Sequence, residues 1–370
     1  MAAIIRRTAQ VMALVLLGVL MLGMSAWGLL ALVYWDHASE LLRHALAAAY
    51  AALALLLIVV FAVRRPRWQA FAAFVALFAL LVACWNAIEP SNHRDWQPDN
   101  AVLAYASIDG DRVTLHNIRN FDYRSETDFT PAYYDRTFDV RQLDAVDLLA
   151  SYWTGPTIAH VFLSFGFADG SHVAISIETR RERGEGYSSV QGFFRQYELY
   201  YVVGDERDLV RLRTNYRRNP PEQVYLYRLH GNVDNARRLF MEYVHQLNML
   251  KDHAEWYNTL TTNCTSAIWL NSRVNPGRVP YSWKILLSGH VPEYLYEQGR
   301  LDTSVPFEEL RRRALINPLA QAADDAADFS QRIRATLPGP DEVRAQAGPA
   351  TIAQRPAATG AGVVVPGAPR

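Results

Sequence analysis

HVFLSFGFADGSHVAISI, residues 160–177, carries the plainest structural signal in the chain. Two runs rich in β-branched and aromatic residues flank Asp169-Gly170, a turn dipeptide, so the segment reads as a two-stranded hairpin. With a side-chain period of two, His160 shares a face with Phe162 and Ser164, and His172, Ala174, Ser176 and Glu178 share a face of the return strand. Working outward, residues 101–108 and 113–118 flank Asp109-Gly110-Asp111 in the same way, and 198–203 and 224–229 read as further strands. Residues 143–153 (LDAVDLLASYW) show helical apolar spacing. Asp234 reads as the N-cap of a helix whose Leu239, Phe240, Tyr243, Val244, Leu247 and Leu250 line one face. A polar stretch, 255–263, leads into a helix from Cys264 to about Asn271; after a turn at 286–289, helical patterns occupy 307–315 and 318–333. Strands first and helices later specify an α+β domain.

Before residue 90 the composition changes. Residues 11–35, 45–63 and 68–88 are apolar runs long enough to cross ~30 Å of hydrocarbon as helices, the only open structure that pairs its own backbone there. Arg6, Arg7, Arg64, Arg65 and Arg67 mark the cytoplasmic ends, whereas the turn holding Asp36, Glu40 and Arg43 is mixed. The third span therefore leads outward, with Trp35, Trp68 and Trp85 as interfacial anchors. The expected organisation is a membrane anchor at 1–90, an exported α+β domain at 91–336, and a disordered Pro/Ala/Gly-rich tail at 337–370. The expected location is a bacterial cytoplasmic (inner) membrane, with the C-terminal domain periplasmic.

The charges balance, 37 basic against 37 acidic, which excludes a protein run by a bulk basic field for nucleic acid. Two cysteines exclude a disulfide scaffold and an all-thiolate zinc site. No HExxH or CxxC occurs, and His230, His245, His253 and His290 lack ligand spacing, so neither metal nor cofactor is expected. Arg211, Arg213, Arg217 and Arg218 form a basic run assigned to a strand and turn; such a run is a solvated face or, beside a membrane, a grip for anionic headgroups.

Cys84 falls inside the third span, which leaves Cys264 alone on the exported side. A lone cysteine in an oxidising compartment is either a buried core thiol or a used one. Its surroundings, Thr261-Thr262-Asn263-Cys264-Thr265-Ser266, are polar, and Thr262 or Asn263 is a good N-cap. That puts the thiol in a first helical turn, where unpaired N–H groups favour the thiolate. His160 is the candidate base. Glu178, then Ser176 and His172, are the candidates to orient its imidazole across the hairpin, although Glu178 equally suits a salt bridge with Arg180 or Arg181. Asn263, Thr265 and Tyr257 are the candidates for supporting an oxyanion or substrate.

The stretches AHVFLSFGFADGSHVAISIETRRERGEGYS, FRQYELYYVVGDERDLVRLRT and EWYNTLTTNCTSAIW, in that order, resemble the Lnb-type periplasmic domain family of Gram-negative bacteria across roughly residues 96–300. The resemblance implies a permuted papain-like (NlpC-type) domain, with the histidine strand before the cysteine helix. The Asn-Cys dipeptide is also similar to the cysteine motif of lecithin–retinol acyltransferase relatives. What the family implies is N-acyl transfer from phospholipid to a lipoprotein amine through a thioester, with Cys264 as nucleophile, His160 as base, and Ser176 and Glu178 in the matching SxE segment. The expected partners are membrane phospholipid and a lipoprotein or peptide acceptor, without nucleic acid. A cysteine peptidase or amidase acting on cell-wall peptide uses the same dyad, and a non-catalytic envelope protein needs none of it. The three spans depart from the resemblance and leave the acceptor open.

Overall fold

The computed structural model describes residues 1–35, 39–64 and 66–338. Asp36 and Arg65, two of the charges used to orient the spans, and residues 339–370 of the expected tail lie outside the described residues. Three helices come first: α1 (Ala2–Val33), α2 (Glu40–Val63) and α3 (Arg67–Asn86). All three are long and apolar enough to cross a membrane, and even the 20-residue α3 reaches ~30 Å at 1.5 Å per residue. Most of their apolar surface faces outward, and only a narrow seam around Met21, Ala54, Phe61, Ala70 and Phe74 is buried. Close approach of the helices requires Gly28, where a Cβ would collide with Tyr50 and Leu81.

Beyond the spans the architecture is mixed α+β. Strands β1 (Tyr105–Asp109) and β2 (Arg112–Arg119) form the first hairpin, turning at Gly110 with φ of 57°. A small ribbon, β3 (Asp122–Tyr123) with β4 (Phe129–Thr130), precedes β5 (Tyr133–Asp139), β6 (Leu143–Tyr152), β7 (His160–Phe167) and β8 (His172–Arg180). Strand β9 (Glu198–Gly204), α4 (Glu206–Arg211), β10 (Gln223–Arg228), α5 (Val233–Asp252) and α6 (Cys264–Asn271) follow. The C-terminal part holds α7 (Trp283–Leu286), α8 (Val291–Glu297), α9 (Phe307–Ala314), α10 (Asn317–Ala322) and α11 (Phe329–Arg332). The main sheet runs β1-β2-β9-β8-β7-β6-β10, with β5 also paired to β2.

Both faces of this sheet are covered. On one side α5 presents Leu239, Phe240, Tyr243, Val244, Leu247 and Leu250 to Phe165, Tyr201 and their neighbours. Each such burial contributes ~1.5–3 kcal/mol. On the other side Leu209, Val210, Ile316, Ala320 and Phe329 cover Phe162, Ala174 and Val202. A buried ionic cluster ties the C-terminal segment to that second face. Arg334 donates to Asp147 at 2.8 Å and to Glu206 at 2.6 Å, and Arg228 pairs with the same Asp147.

Four sequence expectations are corrected here. Residues 143–153 are not a helix but the strand β6, nearly every residue of which is buried. A strand covered on both faces carries apolar residues at both parities, and its Leu and Ala content then mimics helical spacing. The basic run is not on a strand: Arg211 ends α4 and Arg213 lies in the π-helical turn Leu212–Tyr216, both buried, while Arg217 and Arg218 follow that turn. Asp234 is not the N-cap of α5; Asn232 is, accepting from the Asp234 N–H at 2.7 Å. Asp234 occupies the first turn instead, where a carboxylate suits the helix dipole. Finally, 318–333 is two helices, α10 ending at Ala322 and α11 starting at Phe329, and the Asp324 carbonyl between them accepts from Arg211 at 2.9 Å.

Candidate active site

Helix α6 begins at Cys264 because Asn263 caps it. The Asn263 Oδ1 accepts from the Ser266 N–H at 2.8 Å and from the hydroxyls of Ser266 at 2.9 Å and Thr265 at 3.1 Å. Its Nδ2 donates to the Thr259 carbonyl at 2.7 Å, so the whole amide is committed to the helix start. Thr265 also donates to the Ile285 carbonyl at 2.6 Å. Both side chains therefore hold the start of the nucleophile's helix in place. Tyr257 is buried close enough to Cys264 that burial first, and the nearby thiolate charge second, push its phenol far up.

The partner comes from the sheet. The β7–β8 ladder stops at Leu163↔Ile175, so the last residues of the hairpin, His160–Phe162 against Ser176–Glu178, are splayed. Into this opening the His160 Nε2 reaches the Ser176 hydroxyl at 2.6 Å and Glu178 Oε1 at 3.3 Å. Ser176 in turn donates to Glu178 Oε1 at 2.9 Å. Phe162 stacks beside the imidazole with centroids 5.7 Å apart, fixing the ring plane. The Cys264 sulfur lies beside the His160 imidazole and the Val161 N–H, near enough for both to act on its charge. With Nε2 committed to Ser176 and Glu178, Nδ1 is the nitrogen available to Cys264.

The electrostatics follow from these contacts. Burial pushes the Cys264 thiol up, but the hydrogen bond from His160, its charge and the Val161 N–H outweigh burial and leave it below the ordinary thiol range. Burial and Arg213 push the His160 imidazolium down, whereas Glu178 and Cys264 more than offset them, so its pKa is raised. Burial would raise the Glu178 carboxyl, yet the charges of His160 and Arg213 hold it well below the usual carboxylate range. A thiolate–imidazolium pair backed by a carboxylate is the consistent charge state.

Residues 129–289 match the Lnb N-terminal periplasmic domain. The matched segment begins at β4 and ends just after Ser288, so it contains His160, Ser176, Glu178 and Cys264 together. The matched segment follows α1–α3, the three helices long and apolar enough to cross a membrane. Neither curated proteins nor solved structures give a match to the chain.

His172, the remaining orienter candidate, sits at the far end of the β7–β8 hairpin, with its Nδ1 3.1 Å from the Gly170 carbonyl and its ring near Glu206 and Arg334. It stands apart from the site. Glu178 pairs with neither Arg180 nor Arg181 but with Arg213, at 3.0 Å. Arg213 also donates to Glu222 at 3.1 Å, and Arg217 to Glu222 at 2.7 Å. The sequence assigned Arg213 to a solvated face or to a grip on anionic headgroups. Its burial follows from the π-helical turn, a local widening that no residue spacing announces. The one available signal was Glu222, an acidic residue close downstream of an arginine cluster.

Beside α6 lies a cavity of about 210 Å³. Val146, Leu148, Leu163, Leu239 and Ile268 form its wall, and Arg278 and Arg300 stand at its polar margin. Val161 and Thr265, the residues that follow His160 and Cys264 in the chain, border it as well, whereas His160 and Cys264 themselves do not line it.

Proposed function

We propose that this protein is a membrane-bound cysteine acyltransferase with a permuted papain-like catalytic domain. In this reading it moves a fatty acyl group from phospholipid to an amine, the N-terminus of a lipoprotein or peptide. One observation carries the chemistry: a cysteine at a helix start, beside a histidine that a serine and a carboxylate orient from the neighbouring strand. The apolar cavity alongside the same helix favours an acyl chain over a polar peptide.

In the first half-reaction the Cys264 thiolate attacks the ester carbonyl carbon, and the N–H groups of the opening turn of α6 receive the developing oxyanion. The C–O bond breaks as the His160 imidazolium gives its proton to the departing alcohol of the lysophospholipid, leaving a thioester on Cys264 and a neutral imidazole. In the second, the acceptor amine attacks the thioester carbonyl and passes a proton to that imidazole. The C–S bond breaks, the amide leaves, and the thiolate–imidazolium pair is restored. Ser176 and Glu178 keep the ring aligned and its charge favourable throughout. Helices α1–α3 hold the site where its lipid donor is concentrated.

Product analysis separates this reading from hydrolysis. Full-length protein in phospholipid vesicles is given a lipoprotein-like peptide with a free N-terminal amine, and separately a muropeptide. N-acyl peptide with an equal release of lysophospholipid is the expected outcome. Cleaved muropeptide without acyl transfer would replace the proposal with a peptidase or amidase.

A further inference from the structure

The segment 187–196 joins the site to the membrane helices. At one end it borders the nucleophile's turn: Thr259 donates from its N–H to the Gly192 carbonyl at 3.2 Å and from its hydroxyl to the Ser189 carbonyl at 2.8 Å. Gly192 has no space for a Cβ, because Thr259 and the ring of Tyr257 lie against it. At the other end the segment grips the exit ends of the spans. Arg195 donates to the carbonyls of Trp85 at 2.7 Å and Ile88 at 3.3 Å and to Asn86 Oδ1 at 3.0 Å, with its guanidinium 3.9 Å over the Trp85 ring. Phe194 lies 5.5 Å from the Tyr34 ring and 6.3 Å from that of Trp27, itself 5.2 Å from Trp85. Trp256, which starts the nucleophile's turn, donates to the Ile88 carbonyl at 3.4 Å.

Trp27, Tyr34 and Trp85 close the outward ends of α1 and α3, the level at which tryptophan and tyrosine mark the membrane–water interface. Phe194 is wedged among them, so the tip of segment 187–196 lies at the same depth. Its apolar neighbours stand partly in the open: Phe193 is 40% exposed, Val190 49%, and Leu260, on the nucleophile's turn, 50%. In water this is a costly surface, whereas at a lipid interface it is a binding one.

We propose that segment 187–196 and the turn 256–263 form a membrane seat. Val190, Phe193 and Leu260 enter the boundary between headgroups and acyl chains of the leaflet at the exit ends of α1 and α3, and the mouth of the Cys264 site is thereby held against phospholipid. The occupant is the bilayer that the chain's own spans cross, because the apolar surface is continuous with those helices through Phe194, Arg195 and Trp256. The seat does not depend on which reaction Cys264 carries out.

The test uses the full-length protein in nanodiscs of phosphatidylethanolamine and phosphatidylglycerol, with a diazirine amino acid placed singly at position 190, 193 or 274. Val274, 38% exposed just past the far end of α6, is the reference. After irradiation, phospholipid adducts are counted by mass spectrometry. Yields at 190 and 193 at least tenfold above that at 274 are expected. Yields no higher than at 274, or adducts to protein in place of lipid, would overturn the seat. The readout needs no turnover, so it fails separately from acyl transfer.

Discussion

Replacing Glu178 with Gln removes one negative charge while keeping the side-chain shape, and it isolates what that charge does for His160. Glu178 Oε1 lies 3.3 Å from the His160 Nε2, and Arg213 lies 3.0 Å from the same oxygen. At an effective dielectric constant of ~20, a unit pair at that separation is worth about 5 kcal/mol before desolvation and competing partners are counted. Opposite charges at such range move a pKa by about one to three units in practice. In Glu178→Gln the imidazole keeps the burial and the repulsion by Arg213 that depress it and loses the largest contribution that raises it. Its pKa falls, the imidazolium is no longer paired with the thiolate near neutrality, and the Cys264 pKa rises. Thiolate is the reactive form, so alkylation by iodoacetamide at pH 7 should slow by about tenfold or more, and the midpoint of the rate-against-pH curve should move upward. Adding Arg213→Met removes the opposing cation and should return the midpoint part of the way. An unchanged midpoint in Glu178→Gln, or one that the second substitution moves further up, would refute the electrostatic reasoning.

Four further outcomes follow from the same contacts. Asn263→Ala removes the cap of α6 and a partner of two hydroxyls, and should destabilise the protein by ~1–2 kcal/mol, seen as a lower thermal midpoint in detergent; an unchanged midpoint would discount the cap. Gly289→Ala places a Cβ against the Pro156 carbonyl oxygen and the backbone of Thr157, just before His160, and should cost ~1–3 kcal/mol with loss of Cys264 reactivity, whereas a stable and reactive variant would contradict the packing. Ile268→Trp fills the cavity beside α6 and should shift acyl-donor preference to shorter chains; an unaltered product profile would remove the cavity from the reaction. Burial raises Glu206 and Glu222, but Arg334 for one and Arg213 with Arg217 for the other hold both at about 2, against 4.5 when unperturbed. Their contribution, of order 3 kcal/mol each, is complete above about pH 4.5 and is lost as pH falls toward 2. The thermal midpoint should drop across that window, and a flat profile would contradict it.

What the sequence disclosed and what it concealed divide along physical lines. The hairpin at 160–180 was legible because its turn dipeptide and period-two pattern are local, and the start of α6 because a cap is a one-residue signal. The span helices were legible from length alone. Strand β6 was not. Its Asp147 is fully buried against Arg228 and Arg334, distant partners that make a carboxylate tolerable in a core strand and that no window of sequence contains. Arg213 was concealed for a related reason: its partners, Glu178 and Glu222, flank it in sequence but meet it only through the π-helical turn. Local chemistry can be read residue by residue, whereas buried charge pairs belong to the tertiary structure.

The measurement that bears most directly on the account is the intact mass of the full-length protein after incubation with phospholipid vesicles and no acceptor. The account predicts a fatty-acyl increment on Cys264, released by hydroxylamine, absent from Cys264→Ser and strongly reduced in His160→Ala. A protein whose Cys264 alkylates rapidly yet stays unacylated with every phospholipid offered would contradict it.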